Sequence, residues 1–234
     1  MVLQQSPLEE DGTRDRSLER AYAKMEGEAS TLVERFITAA RNGTELVLTE
    51  DEKGIWVYFF YQQIKRVPEM FRQLEVQRTF ADRIGDAIKK LELRIGRPLT
   101  EEESRDLRAP ESLARIQQNA TLKALADPGQ LIQTLLLTMA LELAVAPPGS
   151  AFVIGSQPVA RTANGASTNM LDPTVQLWLP IASDVAVRFV LASSPLAVTN
   201  ISEDYVARIN WQIYKQSEMI AAASDDIITG VVNS

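Results

Sequence analysis

The sequence predicts an α+β protein in which a helical N-terminal half packs on a small antiparallel or mixed β-sheet, with one long helix near the C-terminus. Between residues 18 and 146, apolar residues recur at spacings of three, four and seven, which is typical of helices. Residues 146–150 (APPGS) break this pattern, and the short runs that follow have strand composition. We therefore expect a flexible segment at residues 1–17, a helical region of about six helices at 18–148 and a strand-rich region at 149–234. Residues 18–234 could form one domain.

Capping signals mark where the helices of the first half begin and end. The first helix is predicted over residues 18–42, with Gly43 just past its end. Thr49 followed by Glu52 is a capping-box pattern and indicates the start of the second helix. Later helix starts are predicted at Thr100, Pro110 and Pro128.

The second helix has five aromatic residues within positions 56–61. Because these side chains point in every direction around a helix, the helix should be enclosed by protein. Gln63 and Arg66 follow on the same helix and are expected near the core, where an amide and a guanidinium need polar partners. A polar site is therefore predicted around them.

Two further apolar segments complete the helical half. Apolar residues recur at near-heptad spacing from residue 70 to 95, and we favour packing within the chain over a coiled-coil dimer, although an oligomer is compatible with the pattern. The longest apolar run, residues 131–146, is too short to span a bilayer and includes Glu142. It is expected to be a buried helix, and no membrane association is predicted.

The second half of the chain should form the sheet. Strands are predicted at residues 152–154, 175–179 and 185–191. Residues 161–173 are polar and small, and a loop of this length could cover or line a site. Ser202 is expected to cap a helix that runs to about residue 223, and residues 227–229 should return as a last strand.

The composition excludes several kinds of chemistry. There is no cysteine and no histidine, so disulfides, thiolate metal sites and every Ser-His or Cys-His arrangement are absent. Carboxylates acting with a hard cation such as Mg²⁺ remain chemically possible, but the sequence predicts no cofactor and no metal site. Residues 1–17 lack the apolar core of a signal peptide, so a cytoplasmic location is expected.

The net charge of −7 disfavours a nucleic acid or an anionic membrane as a partner. Residues 65–97 do contain nine basic against five acidic residues. We interpret this segment as a solvated helix face with ion pairs at i,i+4 spacing, rather than as a binding surface.

Several motifs, in their order and spacing, are similar to those of a bacterial family, domain-of-unknown-function family 4238. Its members have an Ile-Glu step, then Gln-x-x-Arg-x-Pro, then a strand reading Phe-Ile-Thr-Ser-Asp-Asn-Pro-Val, then Leu-Pro-Leu and a late helix with Asn. The matching positions here are Met25-Glu26, residues 63–68 (QIKRVP), residues 152–159 (FVIGSQPV), residues 179–181 (LPI) and Asn210. The resemblance spans about residues 20–230 and implies a fold and a site location, because the family has no settled activity.

The chain also departs from the family pattern. Ile154, Gly155, Ser156 and Gln157 stand where the motif has Thr-Ser-Asp-Asn, so the acid before Asn-Pro is missing. Nothing in residues 1–17 is similar to the His-Tyr-Val-Pro-like segment with which members tend to begin. The resemblance therefore implies a divergent member, or one that lacks the N-terminal segment.

A carboxylate paired with a guanidinium beneath the turn at Ser156 could orient the phosphate or carbonyl group of a small anionic ligand. The alternative is structural: Arg66 would pair with Glu26 or Glu142, and the amides would cap backbone groups. Ser156 is disfavoured as a nucleophile, since no histidine and no Gly-x-Ser-x-Gly elbow accompany it. The ligand-binding candidates are Glu26, Gln63, Arg66, Ser156, Gln157 and Asn210.

Two functions follow from these candidates. The first is a cytoplasmic binding or interaction domain with a buried Arg-Gln-Glu cluster and no assignable activity or partner. The alternative is a histidine-independent hydrolase or nuclease that acts on a phosphate-containing substrate through carboxylate and arginine residues. Whether the protein is an enzyme stays open at this point.

Overall fold

A computed structural model describes residues 17–65, 76–113, 115–116, 129–163, 172, 174–191 and 197–233. These residues form two compact units. The larger unit contains the described residues of 17–65 and 129–233, and the smaller unit contains those of 76–116.

The larger unit contains most of the helices and all the described strands. Its helices and those of the smaller unit are, in chain order, α1 (Ser17–Asn42), α2 (Glu50–Lys65), α3 (Val76–Ile95), α4 (Glu101–Arg108), α5 (Gln130–Thr138), α6 (Glu203–Gln216) and α7 (Asp225–Val232). The strands are β1 (Ala140–Val145), β2 (Ile154–Gly155), β3 (Ala160–Thr162), β4 (Gln176–Pro180), β5 (Val185–Val190), β6 (Val198–Asn200) and β7 (Ile220–Ala221). Of these elements, α3 and α4 belong to the smaller unit.

The main sheet has five strands in the order β3-β4-β5-β1-β6. The pairings of β3 with β4, β4 with β5 and β5 with β1 are antiparallel, whereas β1 and β6 are parallel. A separate two-stranded ribbon is made by β2 and β7. The predicted α+β class, with a helical N-terminal half and a mixed sheet, is confirmed.

Helices cover both faces of the main sheet. Alternate strand residues such as Leu143 and Phe189 pack in one core with the buried residues Phe36, Trp56 and Phe60 of α1 and α2. The Phe60 ring meets the Phe189 ring edge-on, with centroids 4.7 Å apart. Strand residues that include Ala144, Trp178 and Ala186 pack in a second core with α6 and α7. The enclosure predicted for the aromatic helix is thus confirmed at Trp56 and Phe60, while Tyr58, Phe59 and Tyr61 are half-buried.

The capping signals are confirmed where the structure describes them. Gly43 follows α1 with a φ of 62°, in the left-handed region that glycine favours. Thr49 and Glu52 exchange the two bonds of a capping box: Thr49 N donates to Glu52 Oε2 over 2.8 Å, and Glu52 N donates to Thr49 Oγ1 over 3.2 Å. Thr100 caps α4 in the same way, and helix begins again at Pro110. Pro128 lies outside the described residues.

One prediction of the helical half is wrong. The apolar run 131–146 is not a single helix, because α5 ends at Thr138 and β1 occupies Ala140–Val145. A strand that is covered on both faces and paired on both edges has a continuously apolar sequence. The periodicity of such a sequence does not distinguish the strand from a buried helix. β1 is such a strand, since it lies between β5 and β6.

Other predictions in the second half are corrected as well. The late helix is capped by Ser202 as expected but ends at Gln216 instead of residue 223, because the chain turns extended at Ser217 and leads into β7. Residues 227–229 lie in α7 and not in a strand. The strand predicted at 152–154 is reduced to Ile154–Gly155. Residues 161 and 162, at the start of the loop predicted at 161–173, belong to β3. Most of that loop lies outside the described residues.

The smaller unit has an ion pair at the start of α4. Arg97 donates to both carboxylate oxygens of Glu103, over 2.7 and 2.8 Å, and the backbone N–H of Thr100 donates to the same carboxylate over 2.9 Å. The Arg97 hydrogen bond and then the Thr100 N–H lower the pKa of the Glu103 carboxyl from 4.5 to about 2.

We expect Glu103 to titrate near its lowered pKa of about 2 in the folded protein. Because this pKa lies below the ordinary 4.5, the carboxylate stabilises the fold above about pH 4.5, and the contribution is lost as the pH falls from 4.5 towards 2. A carbon-detected NMR titration of the Glu103 carboxyl measures the midpoint. In Arg97→Gln the midpoint should rise, and equal midpoints in the two proteins would contradict the pairing.

Replacing Phe60 tests the contact between α2 and the sheet. Phe60→Ala leaves a cavity against Phe189, and its free energy of unfolding in urea should fall by about 3–5 kcal/mol. Leu131→Ala is the matched control, since Leu131 is 83% exposed on α5 and should change the value by less than about 0.5 kcal/mol. Equal losses in the two variants would argue against the packing described.

Candidate functional site

A cavity of about 520 Å³ lies in the larger unit, among α1, α2, β2 and the end of β4. This volume is within the range of small-molecule sites. Three of its lining residues present polar side chains: Glu26, Gln63 and Ser156. The others are Val33, Phe59, Ile154, Gly155, Pro158, Leu179, Pro180 and Ile181.

The structure brings three of the six predicted site residues to this cavity. Glu26 comes from α1, Gln63 from α2 and Ser156 from the turn after β2. Glu26 is exposed and Gln63 is half-buried, so these two residues line the open part of the cavity. Arg66 lies outside the described residues, and its role stays a prediction.

Asn210 does not line the cavity. Its buried side chain accepts a hydrogen bond from Val153 N over 3.0 Å and donates one to Ala151 O over 2.8 Å. Both partners belong to the segment that leads into β2. Asn210 therefore connects α6 to that segment through backbone groups, as in the structural alternative considered for the amides.

The turn after β2 is attached to the C-terminal end of α6. The Nε2 of Gln216 donates to the carbonyl oxygens of Gln157 and Val159, each over 2.8 Å. Gln157 N donates to Ser217 Oγ over 3.1 Å. Gln157 is thus held by its backbone and does not line the cavity. The hydrogen bonds of Gln216 and Ser217 fix the wall to which Ser156 belongs.

Gly155 is a lining residue that the sequence did not single out. A Cβ at this position would collide with the side chains of Ser217 and Ile213. The missing side chain lets β2 lie directly against α6. A glycine within the family's strand motif, at residues 152–159, is the signal that could have indicated this close approach.

The most buried polar side chains of α2 were also missed. Gln62, next to Gln63, is fully buried, and its Oε1 is 3.5 Å from the Tyr22 hydroxyl. Its Nε2 has no hydrogen-bond partner among the residues that the structure describes. Lys65 is also buried, with Nζ 5.2 Å from the Tyr61 ring centroid. Because α2 is apolar around most of its circumference, its sequence did not show which of two adjacent glutamines faces inward.

Glu142 and Arg188 form a structural ion pair. They are opposite each other on β1 and β5, and Arg188 Nε donates to Glu142 Oε2 over 2.7 Å. The guanidinium lies over the Trp178 ring, 5.0 Å from its centroid. Neither residue lines the cavity, and neither does Arg161. The pair satisfies two charges that would be costly to bury separately.

Two kinds of feature are absent from the described part of the chain. No group of three or more His, Cys, Asp or Glu side chains there is arranged to hold a metal ion. Within the same residues, no helix has the length and apolar character needed to cross a membrane.

The fold and the cavity define an α+β protein with a pocket of small-molecule size. The model of the protein family of unknown function DUF4238 matches residues 5–226, so the chain belongs to this family. The expected family is thereby confirmed, and with it the absence of an assignable activity. No curated protein and no solved structure matches the chain.

Removing the Asn210 amide should destabilise the protein without altering the cavity lining. In Asn210→Leu, Val153 N–H and Ala151 C=O lose their partner, and each buried unsatisfied group costs about 1–3 kcal/mol. Urea unfolding measures the loss. Gln212→Leu, at an exposed position of the same helix, is the control and should leave stability nearly unchanged. A loss in Asn210→Leu no larger than in the control would refute the bridging role.

Proposed function

We propose that the protein binds a small molecule in the 520 Å³ cavity. The observation that supports this is the origin of the lining residues. Glu26, Gln63, residues 154–156 with Pro158, and residues 179–181 are far apart in the chain, and each falls on a position similar to a family motif. If the residues of these motifs served only to stabilise the fold, they would have no need to surround an open cavity.

The lining indicates what kind of ligand fits. Seven of its residues are apolar, so much of the binding free energy would come from burying apolar ligand surface: Val33, Phe59, Ile154, Pro158, Leu179, Pro180 and Ile181. The Glu26 carboxylate and the Gln63 amide on adjacent helices would orient polar atoms of the ligand. The best fit is a molecule with an apolar body and a hydrogen-bonding end.

Binding of a small anionic ligand stays a prediction. That expectation depended on Arg66, which lies outside the described residues. Nothing in the described residues favours the hydrolase or nuclease alternative. A cytoplasmic location and an oligomeric state stay predictions.

A ligand screen with a cavity-filling variant tests the proposal. Compounds that bind the native state raise the melting temperature, and one at a hundredfold its Kd adds about 2.7 kcal/mol to stability. We expect hits for the wild type that are lost in Ile181→Trp, because the larger side chain occupies the cavity.

Leu131→Trp is the control for this screen, because it adds the same side chain at an exposed position of α5. Hits should persist in that variant. NMR shift changes of the hits should map to the segments around Gln63 and Ser156. Hits that bind Ile181→Trp as tightly as the wild type would contradict the proposed site.

A further inference from the structure

The ribbon of β2 and β7 forms part of the cavity wall and continues beyond it. Ile154 is opposite Ala221, and Gly155 is opposite Ile220. Ser156 N donates to Met219 O over 2.9 Å, which extends the same register by one residue. Because strand side chains alternate between faces, Ile154, Ser156, Met219 and Ala221 share one face, and Gly155 and Ile220 share the other.

The two faces of this ribbon have different surroundings. On the inner face, Gly155 lies against Ile213 and Ser217 of α6, and Ile220 packs against the second core. On the outer face, Ile154 is 48% exposed and Met219 is 73% exposed. These two side chains are diagonal neighbours across the strand pair, a separation that long side chains can bridge.

The outer face is continuous with the cavity. Ile154 and Ser156 line the cavity and also belong to this face. Met219 therefore lies next to the cavity wall without being part of its lining. A single exposed apolar residue is ordinary on a protein surface. Ile154, however, is exposed and also lines the cavity, so it lies at the cavity's rim with Met219 beside it.

We infer that the ligand is an elongated amphiphile. Its polar end lies at Glu26 and Gln63, and its apolar chain runs through the cavity and out over Ile154 and Met219. This inference rests on the proposed function and adds the shape of the ligand. It also makes Met219 a residue that determines which length of the ligand's apolar chain is preferred.

Neutral alcohols of increasing length test this shape. A fluorescent reporter of apolar sites, N-phenyl-1-naphthylamine, is bound to the full chain and displaced with 1-alkanols from butanol to dodecanol. Each buried methylene should tighten binding about fourfold. In the wild type this increase should continue to the longest alcohols. In Met219→Ser it should stop earlier, so that the longest alcohols bind at least about tenfold more weakly while the shortest bind unchanged.

Matched variants separate the possible results. Met219→Leu keeps an apolar side chain and should behave as the wild type. Leu131→Ser makes the same kind of change at a residue that is 83% exposed on α5, and it should have no effect at any chain length. If Met219→Ser binds every alcohol as the wild type does, the inference is wrong and the proposed function stands. If the wild type and Ile181→Trp bind all the alcohols equally, the cavity is not the site and both are wrong.

Discussion

The packing of α2 against the main sheet is the contact on which the rest of the larger unit depends. Trp56 and Phe60 are fully buried, and their rings meet Phe36 of α1 and Phe189 of β5 at centroid distances of 4.7 Å. These edge-on contacts set the position of α2 between α1 and the sheet. The same helix presents Phe59 and Gln63 to the cavity, so the position of this wall follows from the aromatic core.

The opposite wall depends on α6, which packs on the other face of the sheet. Asn210, Gln216 and Ser217 hydrogen-bond to the segment from Ala151 to Val159, so this helix holds the chain around β2. All five of these bonds go to backbone groups and would tolerate changes of the side chains in that segment. The cavity therefore lies between parts of the chain that are held from opposite faces of one sheet.

This arrangement gives a physical reason for the departures from the family motif. Gly155 stands where the motif has serine, and here α6 leaves no room for a Cβ. Ser156 stands where the motif has an acid, and its hydroxyl oxygen accepts a hydrogen bond from Glu218 N over 3.0 Å. A carboxylate at this position could accept the same bond, so the turn can keep its hydrogen bond without the acid.

Local signals in the sequence determined the start of α2, the end of α1 and the cap of α6, because capping depends on a few neighbouring residues such as Thr49, Gly43 and Ser202. The order of the family motifs predicted one site for Glu26, Gln63 and Ser156, and these three residues line the same cavity. Only tertiary structure decided that residues 140–145 form a strand, because that choice depends on pairing with β5 and β6. It also decided that Gln62 is buried while Gln63 lines the cavity, because α2 has apolar residues on every side around positions 55–61 and its neighbours set which side faces inward. The role of Asn210 likewise depends on tertiary structure, because its partners Ala151 and Val153 are far away in the chain.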